Sequence, residues 1–262
     1  MSGKSKKTID RRITKRATLD NFTKGKKWSK PINVSDLINA IKGNNNSTTF
    51  RDVLGDEADN PGCYKWWAKK EYVEKLLSKI LFDDESHKAE FSEAEFNEIF
   101  EKNEENFYCI YIGKANNLYD RLKDHSKKTE QSTLRRTICS LTCNKDDSLE
   151  TINDKIDNWL KNFKIQYFPL FKSERSEDTS GKQTLYKLNR TNCTLLDLEY
   201  FFINEAFHIL NVDVNHFAEY SEKIGKQLDK ETFLKTKKIT TALSEKKKQW
   251  PKEKIIEKNI NK

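Results

Sequence analysis

Apolar positions along this chain come in short runs divided by charged stretches, and their spacing predicts the elements. Tyr108, Cys109, Ile110, Tyr111 and Ile112 follow one another as aromatic, β-branched or small apolar residues, which predicts a short, largely buried strand ended by Gly113. Asn116 and Asn117 are turn and cap residues, and Asn117 is placed to cap the helix that follows. In that helix Leu118 and Leu122 share one face, and Arg121 and His125, also four apart, share a neighbouring one. Asp59-Asn60-Pro61-Gly62 signals a turn before another strand, Cys63 to Trp67.

The same spacing extends to the rest of the chain. Ser35 is placed to cap a short helix, Asp36 to Lys42, with Leu37, Ile38 and Ile41 apolar on one face. Tyr72, Leu76, Leu77 and Ile80 predict one amphipathic helix, and Phe91, Phe96, Ile99 and Phe100 a second. Helices are expected over Ser132 to Cys143 and Ile152 to Phe163. Phe163 to Leu170 alternates as a strand does, with Pro169 ending it or placing it at an edge. Residues 171 to 183 are polar and predict a mobile loop, and Thr194 is placed to cap a helix from Leu195 to about Leu210.

Charge changes the picture at the ends. The 262 residues carry a net charge of +8, with 35% hydrophobic and 34% charged residues. Residues 1 to 30 hold eleven Lys/Arg against two Asp, and residues 222 to 262 hold thirteen Lys against six acids, so a body of net −8 lies between basic ends. Such ends suit phosphate contacts, and the first 30 residues are expected to be disordered or to fold on a partner. Between Lys69 and Phe107 twelve acids outnumber six lysines, so this stretch is expected to avoid polyanions and pack on the far side of the sheet. No run approaches the ~18 apolar residues of a membrane-spanning helix. The basic N-terminus lacks the apolar core of a signal peptide, and the expectation is a cytoplasmic protein with reduced thiols. Its five cysteines are scattered. Cys139 and Cys143 do not have zinc-knuckle spacing, and Cys63 and Cys109 read as small core residues.

Several of these residues carry a recognisable pattern. Tyr111-Ile112-Gly113, then Asn117-Leu118, Arg121 and His125, resembles the second half-motif of the GIY-YIG nuclease family. IGKANNLYDRL is especially similar to the version in bacterial excision-repair nuclease subunits. Pro61-Gly62-Cys63-Tyr64-Lys65 resembles the first half-motif, with Cys63 in place of Ile. Leu198-Glu199, followed twelve residues later by Asn211, resembles the acidic element, with His208 where the family often has Pro. The family places its two tyrosine motifs close together, whereas residues 65 to 110 intervene here, which implies a helical insertion over 69 to 107.

The resemblance implies an α/β (α+β) fold with a small three-stranded antiparallel sheet flanked by helices. It divides the chain into a basic, partly disordered extension with a short helix (1–55), a nuclease domain (56–217) and a Lys-rich extension (218–262). The catalytic set carried over is Tyr64, Tyr111, Arg121, His125, Glu199 and Asn211. Glu199 offers the hard oxygen that Mg²⁺ (or Mn²⁺) takes, and Arg121 a planar, permanently charged fork for phosphate oxygens. A phenol of reference pKa ~10 needs nearby positive charge, from Arg121, Lys114 and the metal, to serve as base near neutrality. Tyr64 is the favoured base, with Tyr111 orienting water or phosphate. His125 serves as proton relay or phosphate contact, and Asn211 holds the site by hydrogen bonding. Lys114, Lys123, Lys128, Arg135 and Arg136 are candidate contacts to double-stranded DNA.

Three functions compete. The first is a Mg²⁺-dependent DNA endonuclease of restriction or mobile-element type, in the cytoplasm and associated with the nucleoid when bound to DNA. Cutting both strands would favour a homodimer. The second is a repair or recombination nuclease acting on damaged or branched DNA. The third is a non-catalytic DNA-binding module that kept the fold.

Overall fold

The computed structural model describes residues 28–43, 48–82, 91–127, 129, 131–175, 185–188, 191–203, 206–211 and 230–248. The expectations for residues 1 to 27, for most of the polar loop and for Lys128 lie outside the described residues.

The sheet is built on β2 (Gly62–Lys69), which is buried along its whole length except Lys69. It pairs antiparallel with β3 (Phe107–Ala115) on one side and β4 (Phe163–Pro169) on the other, and β1 (Ile32–Asn33) extends β4. The sheet therefore has four strands in the order β1-β4-β2-β3 rather than three, because a two-residue strand before the first helix joins the β4 edge. A central strand covered on both faces needs apolar residues at odd and even positions, and CYKWW supplies them. Tyr64, Trp66 and Ala68 enter one core, and Cys63 and Trp67 the other.

Pairing of β2 with β3 is regular except at one place. Trp66 lies opposite Tyr111 but Trp67 lies opposite Cys109, so Ile110 is an extra residue in a β-bulge. Its carbonyl is taken by the Leu210 amide at 2.9 Å.

Helices cover the Tyr64 face of the sheet. The α1 helix (Val34–Lys42) begins two residues earlier than expected, with Asn33 and not Ser35 at its N-cap. A short α2 (Phe50–Leu54) follows, closed by a reciprocal Thr49–Asp52 capping box. The α3 helix (Lys70–Phe82) follows β2 directly, and α4 (Glu93–Ile99) is capped by Ser92 with Glu95. These are the two helices expected between the tyrosine motifs, and they do not lie beyond the sheet. Val73, Leu76, Leu77, Ile80, Phe96 and Ile99 share the core of Tyr64, Trp66 and Tyr111. The apolar stripe, not the net charge, decides which face a helix covers.

Three helices follow β3: α5 (Leu118–Lys127), α6 (Thr133–Thr142) and α7 (Leu149–Leu160). Asn117 caps α5 as expected, its Oδ1 accepting the Asp120 amide at 3.0 Å. A hairpin of β5 (Leu185–Leu188) and β6 (Thr191–Thr194) leads into α8 (Leu195–Ile203), which covers the second face. Thr194 caps α8 and Asp197 reciprocates. The helix stops at Ile203, short of the expected Leu210, because residues 206–211 leave it to run along the open edge of β3. Finally α9 (Lys230–Lys248) buries Ile239 and Leu243 in the first core, and Lys235 pairs with Glu95 at 2.8 Å. This part of the Lys-rich segment is thus packed structure. No helix among the described residues is long and apolar enough to cross a membrane.

Candidate active site

The two tyrosines reach one face by register. Tyr64 lies opposite Gly113 and Trp66 opposite Tyr111, so Tyr64 and Tyr111 are diagonal neighbours with ring centroids 6.3 Å apart. The Tyr64 ring lies over Gly113. A Cβ there would stand 2.3 Å from Tyr64 Oη and 2.4 Å from its Cζ, so glycine is the residue that leaves room for the phenol.

The α5 helix crosses above this pair and presents Arg121 and His125 one turn apart. Tyr64 Oη is hydrogen-bonded to His125 Nε2 at 2.7 Å and accepts the Arg121 Nε–H at 3.3 Å. Arg121 also donates from Nη1 to the Gln131 carbonyl at 3.0 Å. On its other side His125 Nδ1 lies 2.5 Å from Ser132 Oγ, and that oxygen accepts the Arg135 amide at 3.0 Å as the N-cap of α6. Tyr64, His125 and Ser132 are fully buried, and Tyr111 nearly so.

Burial sets the electrostatics. It pushes the His125 imidazole well below its ordinary value, and the Arg121 and Arg135 charges push the same way. His125 is therefore neutral near pH 7 and has one nitrogen able to accept a proton. Burial, then Tyr111, raises the Tyr64 phenol well above its ordinary value, while Arg121 pulls it down. Arg121 thus lowers this phenol as expected, but desolvation of the phenolate outweighs it and the net shift is upward.

Glu199 comes from α8, in the layer covering the second face, and stands beside the end of β3, its Oε2 3.8 Å from Lys114 Nζ. Its charge acts on both Cys63 and Tyr64, which places it within electrostatic reach of the phenol around the strand end. Asn211 is buried and makes two bonds to one peptide unit. Its Oδ1 accepts the Ile112 amide at 2.7 Å and its Nδ2 donates to the Ile112 carbonyl at 2.6 Å. It closes the open edge of the YIG strand as a neighbouring strand would.

The basic residues separate into two groups. Lys114 and Arg136 are partly exposed and Lys123 is exposed, its ammonium over the Tyr119 ring. Arg135 is buried at 1% exposure. It pairs with Asp157 at 2.8 Å and donates to Thr129 Oγ1 at 3.0 Å, which removes it from reach of a DNA backbone. The sequence marks Ser132 only as the first residue of an expected helix. Its contact to His125 crosses seven residues and joins two helices, and the one trace of it is a serine at a helix start seven residues after a histidine.

A phenol, a neutral imidazole, a guanidinium and a carboxylate around one strand end form a set suited to phosphodiester hydrolysis. The family model described as the GIY-YIG catalytic domain matches residues 62–232, and the chain belongs to this family. GIY-YIG domains are nuclease domains, so the catalytic part of the chain is of nuclease type, a hydrolase of phosphodiesters. Comparison with curated proteins and with solved structures gave no match.

Proposed function

We propose that the protein is a Mg²⁺-dependent endonuclease cleaving double-stranded DNA, of the restriction or mobile-element type. The observation that carries this reading is the Tyr64 hydroxyl held between a neutral imidazole and a guanidinium, with a carboxylate in electrostatic reach. In this reading residues 56–217 carry the catalytic unit, with basic extensions on either side.

The donor set fits Mg²⁺ (or Mn²⁺). Glu199 supplies one hard oxygen at a partly buried position that already faces the Lys114 ammonium, and water and phosphate oxygens complete the shell this ion prefers. When bound there, the ion supplies positive charge for the phosphate and the leaving oxygen.

The chain's own residues handle the proton and the phosphate. Since Tyr64 Oη accepts from Arg121, its O–H is free to donate to His125 Nε2, with Nδ1–H directed at Ser132 Oγ. Tyr64 takes a proton from the attacking water as it passes its own to His125, so a high-pKa phenol serves as base without standing ionised. Ser132 holds the imidazole ring in line. Arg121 turns its remaining N–H donors to the phosphate, and this movement uncovers Tyr64, which is closed to solvent in the free protein. Asn211 fixes the Ile112 peptide and hence the strand that carries Tyr111. Lys114, Lys123 and Arg136 meet the DNA backbone. Cleavage of both strands requires two such sites, which a homodimer provides.

The test is plasmid nicking with Mg²⁺ and with EDTA. Wild type is expected to nick only with the metal. Glu199→Ala and Arg121→Ala are each expected to abolish nicking with unchanged circular dichroism. Nicking by either variant at the wild-type rate would overturn the site, and a wild type inert on every duplex with Mg²⁺ would leave the non-catalytic reading.

A further inference from the structure

The sheet face away from Tyr64 carries a largely buried group of side chains of metal-ligand type that the proposed cleavage chemistry does not use. Glu101 follows α4, Cys109 lies on β3, and His208 belongs to the segment along the β3 edge. One oxygen, one sulfur and one nitrogen from these three residues all lie within 4.8 Å of one another. Cys109 and His208 are fully buried. Backbone bonds hold the three segments together. The Cys109 amide donates to the Glu101 carbonyl at 2.9 Å, Phe207 to Ile99 at 2.8 Å, and Leu210 to Ile110 at 2.9 Å.

The two carboxylate oxygens of Glu101 differ. Oε1 accepts from Lys65 Nζ at 2.5 Å, and Lys65 is itself held over the rings of Trp28 at 4.6 Å, Phe202 at 5.4 Å and Trp67 at 5.5 Å. Oε2 makes no hydrogen bond, and it lies 3.7 Å from His208 Nε2. A carboxylate anchored by one oxygen, with the other turned toward an imidazole and a thiol, has the arrangement of a metal ligand whose outer oxygen is hydrogen-bonded.

We propose that Glu101, Cys109 and His208 bind a zinc-class divalent cation, separate from the Glu199 position. Sulfur and imidazole donors select Zn²⁺ over Mg²⁺. Zinc bonds of about 2.0–2.3 Å in a tetrahedron put ligand atoms about 3.3–3.8 Å apart, so the widest pair draws in by about 1 Å. Binding forms Zn–S, Zn–N and Zn–O bonds and releases the Cys109 thiol proton to solvent, and water takes the fourth position on the side where Glu101 is partly exposed. The thiolate and carboxylate together neutralise the dication, and Lys65 keeps its bond to Oε1. The ion ties the end of the insertion and the edge segment to β3. That edge segment contains Asn211, which holds Ile112, so the clip supports the strand carrying Tyr111 from its other face.

The experiment titrates Co²⁺ and then Zn²⁺ into the full-length protein after chelator treatment. Expected are a thiolate-to-cobalt absorption band saturating at one equivalent, its loss on adding Zn²⁺, and a rise in melting temperature with Zn²⁺. Cys109→Ser and His208→Gln should each remove the band, while Cys63→Ser and Glu199→Gln should keep it. If one of the first two variants fails to fold, the other decides. No band in folded wild type, or a band that survives Cys109→Ser or His208→Gln, overturns the site. Lys65, Glu101 and His208 would then be an ion network complete without metal. Nicking plays no part in this test, so its outcome is independent of the cleavage reading.

Discussion

Replacing Gly113 by alanine should cripple cleavage through one methyl group. The backbone at Gly113 is not in the left-handed region, so alanine can adopt it, and any effect is steric. The added Cβ would stand 2.3 Å from Tyr64 Oη, where ordinary contact begins at 3.4 Å, so the phenol must retreat by about 1 Å. It has no free space to enter, because Tyr64 has no exposed surface and Trp66 shares its face. Overpacking of this kind costs about 1–3 kcal/mol, and in a domain of this size each kcal/mol lowers the melting temperature by about 2–4 °C. The larger effect is on chemistry. Tyr64 Oη loses its 2.7 Å contact to His125, and a displacement of about 1 Å at a reacting group costs on the order of 10²-fold in rate. The assay is single-turnover plasmid nicking beside thermal melting. Gly43→Ala is the control. Gly43 has φ +69° and nothing within 4 Å of its would-be Cβ, so alanine there strains the backbone by about 1–2 kcal/mol and leaves the nicking rate unchanged. A Gly113→Ala protein that melts and cuts like wild type would refute the packing argument and the placement of Tyr64 together.

Two further outcomes follow from the same geometry. Ser132→Ala should slow nicking while Ser132→Thr retains it, and in a His125→Ala background Ser132→Ala should add no further loss beyond the ~1 kcal/mol of stability due to the cap. A full additional loss of rate in that background would show that Ser132 does not act through His125. Hydrogen bonds from Lys235 and then from Ser92 hold the Glu95 carboxyl at about 2. A folded value below the unfolded ~4.3 means that the stabilisation is present above that value and is lost as pH falls toward 2. Wild type should therefore melt above Glu95→Gln at pH 7, by a margin that shrinks at pH 3. An equal margin at both pH values would refute the Lys235 clamp on α9.

What could be read from the chain was whatever depends on near neighbours. The YIG strand, the Asn117 cap, the Arg121–His125 pair and the Thr194 cap are all set within four residues, and all are where the pattern puts them. The departures have distant causes. Arg135 reads as a surface cation until Asp157, on another helix, takes it inside. Phe207, Ile209 and Leu210 continue the apolar rhythm of α8, but their burial comes from the edge of β3. The acidic count of the insertion pointed away from the site, while Val73, Leu76 and Leu77 drew α3 into the Tyr64 core. The β5–β6 hairpin falls in a stretch too short and polar to show alternation. In the site itself the residue types were legible. The second partner of Ser132 and the two-way bond of Asn211 to Ile112 were not, because each joins segments that only the fold brings together.

The extra residue at Ile110 makes β3 two half-strands of opposite phase. In an unbroken pleat Cys109 and Tyr111 would share a face; here Cys109 faces the α8 layer and Tyr111 faces Tyr64. Each half has its own anchor. The Cys109 amide is bonded to Glu101 on the insertion side, and the Ile112 peptide is held by Asn211 on the site side. The bulge thus works as a slip joint. A change of one residue in the connection arriving from α4 can be absorbed at Ile110 without turning Tyr111 over. A strand that follows two helices can in this way keep the half carrying Tyr111 aligned while its other half follows those helices.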